Sequence, residues 1–531
     1  VRIVRFVGGL LTGLVALVLA VALFVYWFDF ASTMAAAAGV GALGYVFLWM
    51  AFGLNLLLWT VVGLIRLAEG GARAALRRRP GDRGRARVSA GRARQRHLVG
   101  AGAPAGGAAL AGGGDGAVAA VEEDLPDTTA PGGVLEETGT EDATLAVVIP
   151  AHNEEPVIGA AISSALRLFA RWDVYVVSDS SGDATADIAA RTGVNVLELL
   201  TNRGKAGAIE AVIEEFSLTE NYDGVLILDA DTELDAGYVE GARRQLRDPG
   251  VAAVAGFVVS EWKPRERGLV GRVISAYRDR LYFMLQYFMR FGQTWRRTNV
   301  AFIVPGFASV YRSSALREIT INPPGLVIED FNMTFEVHRK RLGRVSMRPD
   351  TKAYSQDPFT FRDYRKQVGR WTLGFWQTVR RHGVWPSVFW AALALYVVEV
   401  VLVSVLFLVT VAIAVFVLLG TVAGEAMAGA PLLADGFTAV TAFLPLTALA
   451  IGLLVPDYVL TCVMTMVRRR PSYLFYGLFF FPIRIVDSYL ALRMIPRAWT
   501  AKSDGRWSSP TRVSHKESPK DTRGELGEGA D

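Results

Sequence analysis

With 531 residues, 52% of them hydrophobic and only 20% charged, the chain has length for about three domains of ~150 residues and is too apolar for a purely soluble protein. Its one cysteine, Cys462, excludes an intrachain disulfide and any multi-cysteine zinc or iron–sulfur site, and its five histidines are too scattered for a histidine-rich metal centre. A net charge of +5 gives no sign of a nucleic-acid partner.

Phe6 to Phe28 and Phe30 to Ile65 contain no charged residue, so residues 1–67 read as two membrane spans, each near the ~20 apolar residues that a hydrocarbon core requires. A run of arginines follows, from Arg73 through Arg77, Arg78 and Arg79 to Arg96, and belongs on the cytoplasmic side against anionic lipid. With the Gly- and Ala-rich stretch beyond it, this makes 68–142 a basic juxtamembrane segment and flexible linker. Residues 143–385 read as a globular cytoplasmic domain. In 386–496, Val384 to Val422 carries only Glu399 and Phe437 to Val467 only Asp457, which gives two more spans. Tyr473 to Met494, interrupted by Pro482, Arg484 and Asp487, reads as interfacial or re-entrant, because a fifth full span would carry the basic tail, 497–531, outside.

Within the globular region strand and helix alternate. Leu145–Pro150, Val174–Val177, Val194–Leu199 and Gly224–Leu228 are buried-strand runs, and Glu155–Phe169, Asp183–Arg191 and Lys205–Phe216 have helical spacing. The order predicts a mainly parallel sheet with helices on both faces and ligands at the carboxyl ends of its strands. Asp229-Ala-Asp231-Thr232 follows the fourth strand directly. Two carboxylates so placed suit a hard divalent cation that keeps positions open for substrate phosphates. Asn202-Arg-Gly-Lys205-Ala-Gly207 opens a helix whose amino terminus, with the lysine, favours a diphosphate. The spacing is not that of a nucleoside-triphosphatase phosphate loop. Tyr364–Arg381 and Leu269–Phe291 have amphipathic periodicity and read as helices lying on the membrane.

Further along come Val304-Pro-Gly306-Phe307-Ala-Ser309, Ile328-Glu329-Asp330 and Gln367-Val-Gly-Arg370-Trp371. Taken in order with the Asp-x-Asp pair and the flanking spans, these motifs resemble the membrane-embedded processive synthases of the family 2 glycosyltransferases, a group that includes cellulose, hyaluronan and poly-N-acetylglucosamine synthases. The resemblance implies an α/β GT-A type (Rossmann-like) cytoplasmic domain with an α-helical transmembrane bundle and interfacial helices. It further implies an inverting, metal-dependent hexosyltransferase of the plasma membrane that polymerises a UDP-sugar, UDP-N-acetylglucosamine or UDP-glucose, and passes the product outward. By the same resemblance Asp179 and Lys205 contact the nucleotide-sugar with Asp229, Gln367 and Arg370. Asp231 holds Mg²⁺ or Mn²⁺, Asp330 is the base with Glu329 beside it, and Trp371, Gly306 and Phe307 meet the acceptor. Departures are Ser178, where the family often has a first aspartate, Val368 in the Gln-x-x-Arg-Trp signature, and Gln356-Asp357-Pro358 where relatives carry Glu-x-Pro. The tail from Trp499 to Trp507 leans toward the poly-N-acetylglucosamine type.

These roles agree with inverting transfer, in which a carboxylate takes the acceptor proton and cations offset the charge developing on the diphosphate. The expected partners are the UDP-sugar, a growing polysaccharide or glycolipid acceptor and membrane lipid, with an accessory protein left open. The rivals are a non-processive enzyme that adds one sugar to a lipid, and a catalytically silent polysaccharide transporter or scaffold. Glu399 and Asp457 at membrane depth are expected either to line a conduit for a polar polymer or to pair structurally with Arg484.

Overall fold

The computed structural model describes residues 43–77, 142–424 and 429–501, with isolated positions between 18 and 29. The chain forms two units, one of Val1–Val61 with Thr140–Asp531 and the other of Val62–Gly139. The sheet and all the candidate site residues lie in the first.

Near-continuous apolar runs form the buried strands β1 (Leu145–Ala151) and β2 (Val174–Asp179), followed by the half-exposed edge strand β3 (Asn195–Leu199) and the buried β4 (Gly224–Leu228). All four are parallel, with Val148 opposite both Tyr175 and Ile227. Downstream lie β5 (Thr232–Leu234), β6 (Val251–Val254), β7 (Phe257–Ser260), β8 (Ala308–Arg312), β9 (Arg344–Ser346) and β10 (Lys352–Ser355). The seven-stranded order is β3-β2-β1-β4-β8-β6-β9, and β8 runs antiparallel between β4 and β6, so the sheet is mixed. A smaller sheet orders β5-β10-β7. This is the α/β arrangement expected from the sequence, with its parallel half at the strands that were legible there.

Ahead of the sheet stand helices α1 (Leu43–Phe52) and α2 (Leu54–Arg77); around it pack α3 (Ile158–Leu166), α4 (Thr185–Arg191), α5 (Gly204–Glu215) and α6 (Tyr238–Leu246). Alternate residues of β1 serve opposite faces. Leu145, Val147 and Ile149 pack with Ile158 and Ile162 on one side, and Ala146 and Val148 with Ile209 and Val212 on the other. Both faces are covered, as parallel strands require. Then follow α7 (Leu269–Phe283), which continues in π-helical turns over Met284–Arg290, α8 (Glu329–Arg339) and the 22-residue α9 (Phe361–His382).

The remaining helices are α10 (Val388–Val422), α11 (Pro431–Phe443), α12 (Leu446–Arg468), α13 (Ser472–Gly477) and α14 (Phe480–Thr500). Among the described residues three helices are long and apolar enough to cross a membrane: Leu54–Arg73, Val388–Val422 and Leu446–Arg468. The expected span over Phe6–Phe28 lies outside the described residues. Two apolar runs that read as single spans are divided. Gly53, at φ +72°, separates α1 from α2, and Leu444-Pro445 separates α11 from α12, because proline cannot supply the N–H that a continuing helix needs.

Both membrane acids are engaged structurally. Glu399 accepts hydrogen bonds from the backbone N–H groups of Leu54 and Asn55 and from the Asn55 amide, capping the start of α2 where helical donors have no partner of their own. A Cβ on Gly53 would stand 2.6 Å from Glu399 Oε1. Asp457 is clamped by Arg280 at 2.9 Å and Arg484 at 3.0 Å. Of the two expectations, the structural pairing of Asp457 with Arg484 is met, with Arg280 as a second partner, and Glu399 caps a helix.

Candidate active site

Parallel strands end in loops whose backbone is free to meet ligand, and here those loops carry the acidic motifs. β4 ends at Leu228, and the Asp229 N–H donates to the carbonyl of Phe307 at 2.8 Å. Lys205, in the first turn of α5, reaches across to this point. Its Nζ lies 2.7 Å from Asp229 Oδ1 and 2.8 Å from Glu329 Oε1, and it donates to the Gly306 carbonyl at 3.0 Å. Three segments distant in sequence thus converge on one ammonium group.

The charges around it set one another. Burial works against the charged Lys205, yet the paired Asp229 and Glu329 carboxylates outweigh it and hold the ammonium well above its ordinary range. Burial also pushes Asp229 up, with Lys205 opposing and the charge of Asp231 adding to the rise. In Glu329, burial is outweighed by Lys205, with help from Arg370, and the carboxyl sits below its ordinary value. Asp330 goes the other way: burial, then the neighbouring Glu329 charge, push it up to about 7. Two adjacent carboxyls in the first turn of one helix are thereby separated into a fixed anion and a group that titrates near neutrality, the property a general base needs.

Asp330 Oδ1 accepts from the Phe331 N–H at 2.7 Å, and Oδ2 faces the Gly306 N–H at 3.4 Å. A Cβ on Gly306 would sit 3.0 Å from Lys205 Nζ, 3.2 Å from Glu329 Oε1 and 3.4 Å from Asp330 Cβ, so glycine is what lets these groups close on one another. Phe307 contributes its carbonyl to Asp229, while its ring packs against the sheet core. Asp179, fully buried, accepts from the N–H groups of Arg203 and Gly204 at 2.7 and 2.8 Å. Burial raises its pKa and these two donors lower it. It thus shapes the turn that presents Lys205, with Gly204 at φ +73°. The carbonyl of Asp179 meets His152 Nδ1 at 2.6 Å, which adds a residue that sequence reasoning missed.

Asp231 is half-buried and accepts from the Thr232 hydroxyl at 3.2 Å. Among the described residues no three His, Cys, Asp or Glu side chains form a ready-made metal cage. Asp229 and Asp231 nevertheless fit the pattern of Mg²⁺ or Mn²⁺ at phosphate sites, which use one or two carboxylates and leave the remaining positions to phosphate and water.

The Gln-x-x-Arg-Trp signature lies on α9, which braces the loop ahead of α8. Gly374 abuts Ile328, where a Cβ would stand 2.9 Å from the Ile328 Cβ, and Gln377 accepts from the Val327 N–H at 3.1 Å. The charge of Arg370 reaches Glu329. Gln367 and Trp371 meet a different group, Arg278 of α7, whose Nη1 donates to Gln367 Oε1 at 2.5 Å and whose guanidinium lies 4.7 Å from the Trp371 ring centre. Asp357 pairs with Arg278 Nε at 3.3 Å. Neither Arg278 nor the role of Asp357 was found from sequence, although Gln356-Asp357-Pro358 stood out as a departure from its relatives.

Residues 224–427 match the model of glycosyl transferase family group 2. This segment of the chain is similar to the family 2 glycosyltransferases. The chain is 24% identical over 268 residues to the poly-β-1,6-N-acetyl-D-glucosamine synthase of Staphylococcus epidermidis, covering 48% of the chain and 59% of that relative. It is 26% identical over 242 residues to the Staphylococcus aureus synthase of the same name, covering 43% and 53%. The matched region thus spans little more than half the length of these relatives. Among solved structures, a Pyrobaculum calidifontis mannosyltransferase in complex with GDP-mannose and Mn²⁺ aligns with TM-score 0.38 at 19% identity, covering 62% of the chain and 89% of its own. A glucosyl-3-phosphoglycerate synthase from Mycobacterium tuberculosis aligns with TM-score 0.30 at 16% identity, covering 46% and 80%.

Proposed function

We propose that the chain is a membrane-integrated, inverting glycosyltransferase that elongates a polysaccharide from a UDP-sugar, with UDP-N-acetylglucosamine as the favoured donor. The observation that carries the reading is the meeting of Lys205 with Asp229, Glu329 and the Gly306 carbonyl beside Asp330. An ammonium group at a strand end and helix start suits a diphosphate, and a carboxyl that titrates near neutrality beside it suits the acceptor hydroxyl.

In the reaction the acceptor hydroxyl attacks the anomeric carbon, the bond to the diphosphate breaks, and Asp330 takes the hydroxyl proton. Glu329 keeps Lys205 in place, and its negative charge keeps Asp330 basic. Lys205 and Arg370 offset the charge that grows on the departing UDP, an effect whose loss costs typically ~10²–10³ in kcat for a single donor of this kind. Asp231, with Asp229 beside it, would hold Mg²⁺ or Mn²⁺, which when bound neutralises diphosphate charge. Gln367 joins the contacts to the nucleotide-sugar, and Trp371 receives the acceptor sugar. The apolar helices anchor the catalytic domain at the cytoplasmic face of the cell membrane, where UDP-sugars are made.

Radiolabelled UDP-N-acetylglucosamine and UDP-glucose, supplied separately to inside-out vesicles that contain the chain, test this reading. High-molecular-weight product from UDP-N-acetylglucosamine, degraded by a hexosaminidase, is the expected result. A single labelled glycolipid would replace elongation with one-step transfer, and no labelled product from either donor would overturn the assignment.

A further inference from the structure

The fold brings the last turns of α8 and α9 side by side, and together they carry guanidinium groups that the proposed reaction does not use. Arg339 Nη1 donates to the His382 carbonyl at 3.1 Å, and Asn332 Oδ1 accepts from His382 Nε2 at 2.9 Å, so the two helix ends are tied. Arg341 lies just past α8, and Arg380 and Arg381 stand just ahead of His382; all four arginines are exposed. The His382 imidazole is pushed down to about 4 by burial, with Glu336 opposing and Arg339, Arg381 and Lys340 adding to the drop, which puts these cations around one point. Lys340 is spent within the domain, on Glu336 at 2.5 Å. The side chains of Arg341, Arg380 and Arg381 have no hydrogen-bond or ion-pair partner among the described residues.

Basic residues in the last turn of a helix are ordinarily accounted for by its dipole. That covers Arg339, Arg380 and Arg381. It does not cover Arg341, which sits beyond the end of α8 at φ +55°, where glycine costs least. The chain accepts backbone strain at the position that adds a fourth guanidinium. The place of the cluster identifies its partner. Only residues 383–387 separate it from α10, which is 35 residues long with mean hydropathy 3.2. Val384 and Val388 are 83% and 67% exposed, and Ser387 caps the span by accepting from the Trp390 N–H at 3.1 Å. An apolar span begins where lipid headgroups end. The arginines thus stand at the level of the headgroup phosphates, whose oxygens match a guanidinium fork.

We infer that Arg339, Arg341, Arg380 and Arg381 form a docking site for the phosphate of an anionic phospholipid, which holds the ends of α8 and α9 against the membrane. Helix α8 carries Glu329 and Asp330 in its first turn and α9 carries Arg370, so the bound lipid fixes both helices relative to the bilayer. The inference rests on the membrane reading of α10 and adds to it a lipid class and the residues that select it.

The test uses the full chain in phosphatidylcholine nanodiscs, with a fluorophore on Val384→Cys; the native Cys462 is buried and stays unlabelled. A nitroxide quencher high on the acyl chain is supplied on phosphatidylglycerol or on phosphatidylcholine. Each basic residue beside an anionic headgroup is worth about fivefold in partition. Half-quenching is therefore expected at about one tenth or less of the phosphatidylcholine dose when phosphatidylglycerol carries the quencher. Arg341→Gln/Arg380→Gln/Arg381→Gln should raise the phosphatidylglycerol dose by about tenfold or more and leave the phosphatidylcholine dose in place. Arg341→Gly relieves the left-handed turn, so it cannot lose the effect by unfolding, and it should raise that dose about fivefold. Equal doses of the two lipids in the parent, or a phosphatidylglycerol dose that the triple variant leaves unchanged, would overturn the site. Loss of the preference on adding inorganic phosphate at fixed ionic strength would assign the cluster to free phosphate and overturn the lipid. No quenching by either lipid would instead overturn the membrane reading of α10, and this inference with it.

Discussion

Lys205 Nζ stands 2.8 Å from the Glu329 carboxylate, joining the helix start after β3 to the first turn of α8. The contact matters because Glu329 would otherwise be a buried, unpaired anion beside Asp330. With Lys205 present, Glu329 stays charged and Asp330 is the carboxyl that carries the strain of burial.

Replacing Lys205 with Met should therefore affect stability and binding together. Removing one partner of a buried ion pair costs about 3–5 kcal/mol, because the other charges stay behind. The expected outcome is a lower unfolding midpoint and weaker UDP binding, read by thermal denaturation and calorimetric titration. Lys205→Arg should recover much of the stability but less of the binding, since its bulkier head must fit the space that Gly306 leaves open.

Asp330 predicts a pH limb. Its ordinary value of 3.8 is pushed up to about 7, and only the ionised form accepts a proton. kcat/KM should rise about tenfold per pH unit below 7 and level off above it. Stability runs the opposite way for this group. Between 3.8 and about 7 the folded chain keeps a proton that the unfolded chain has released. The contribution of Asp330 to stability is thus full below the unfolded value and lost as pH rises through 7. Asp330→Asn should flatten both dependences, as pH–rate profiles and unfolding midpoints across this range will report.

Gly306→Ala isolates geometry from charge. The added Cβ meets Lys205 Nζ at 3.0 Å and Glu329 Oε1 at 3.2 Å, so both must move apart. Transfer should fall by about 10²-fold, in the range for misplaced reacting groups, with the circular-dichroism spectrum unchanged.

Glu399→Leu tests whether the membrane acid is a helix cap. Losing a cap costs ~0.5–2 kcal/mol, and here the donors of Leu54 and Asn55 lose their acceptor together. The variant should unfold at a lower temperature in detergent while product export per unit of product made stays as in wild type. A selective loss of export would instead assign Glu399 to a conduit.

How much of this was legible in the sequence depends on the distance over which each feature acts. β1 to β4 declared themselves because strands covered on both faces are continuous apolar runs, and Asp229 and Asp231 fell at the end of one of them. The antiparallel β8 left no such mark: it pairs with β4 over residues that in sequence sit beyond β7 and α7. The breaks at Gly53 and Pro445 were hidden by hydropathy, which counts apolar residues but does not register a single left-handed glycine or a missing N–H. Arg278 was opaque for a third reason. Its partner Gln367 lies 89 residues away, and an arginine on an amphipathic helix reads as a solvated face until the fold buries it.

On the proposed reading, Asp330 performs the proton transfer in a site that binds a UDP-sugar through other residues. The most direct measurement is UDP release by purified wild type and Asp330→Asn, with donor binding followed in the same preparations. The variant should bind UDP-N-acetylglucosamine within about twofold of wild type but turn over ~10²–10⁴-fold more slowly. Turnover by Asp330→Asn close to that of wild type would contradict it.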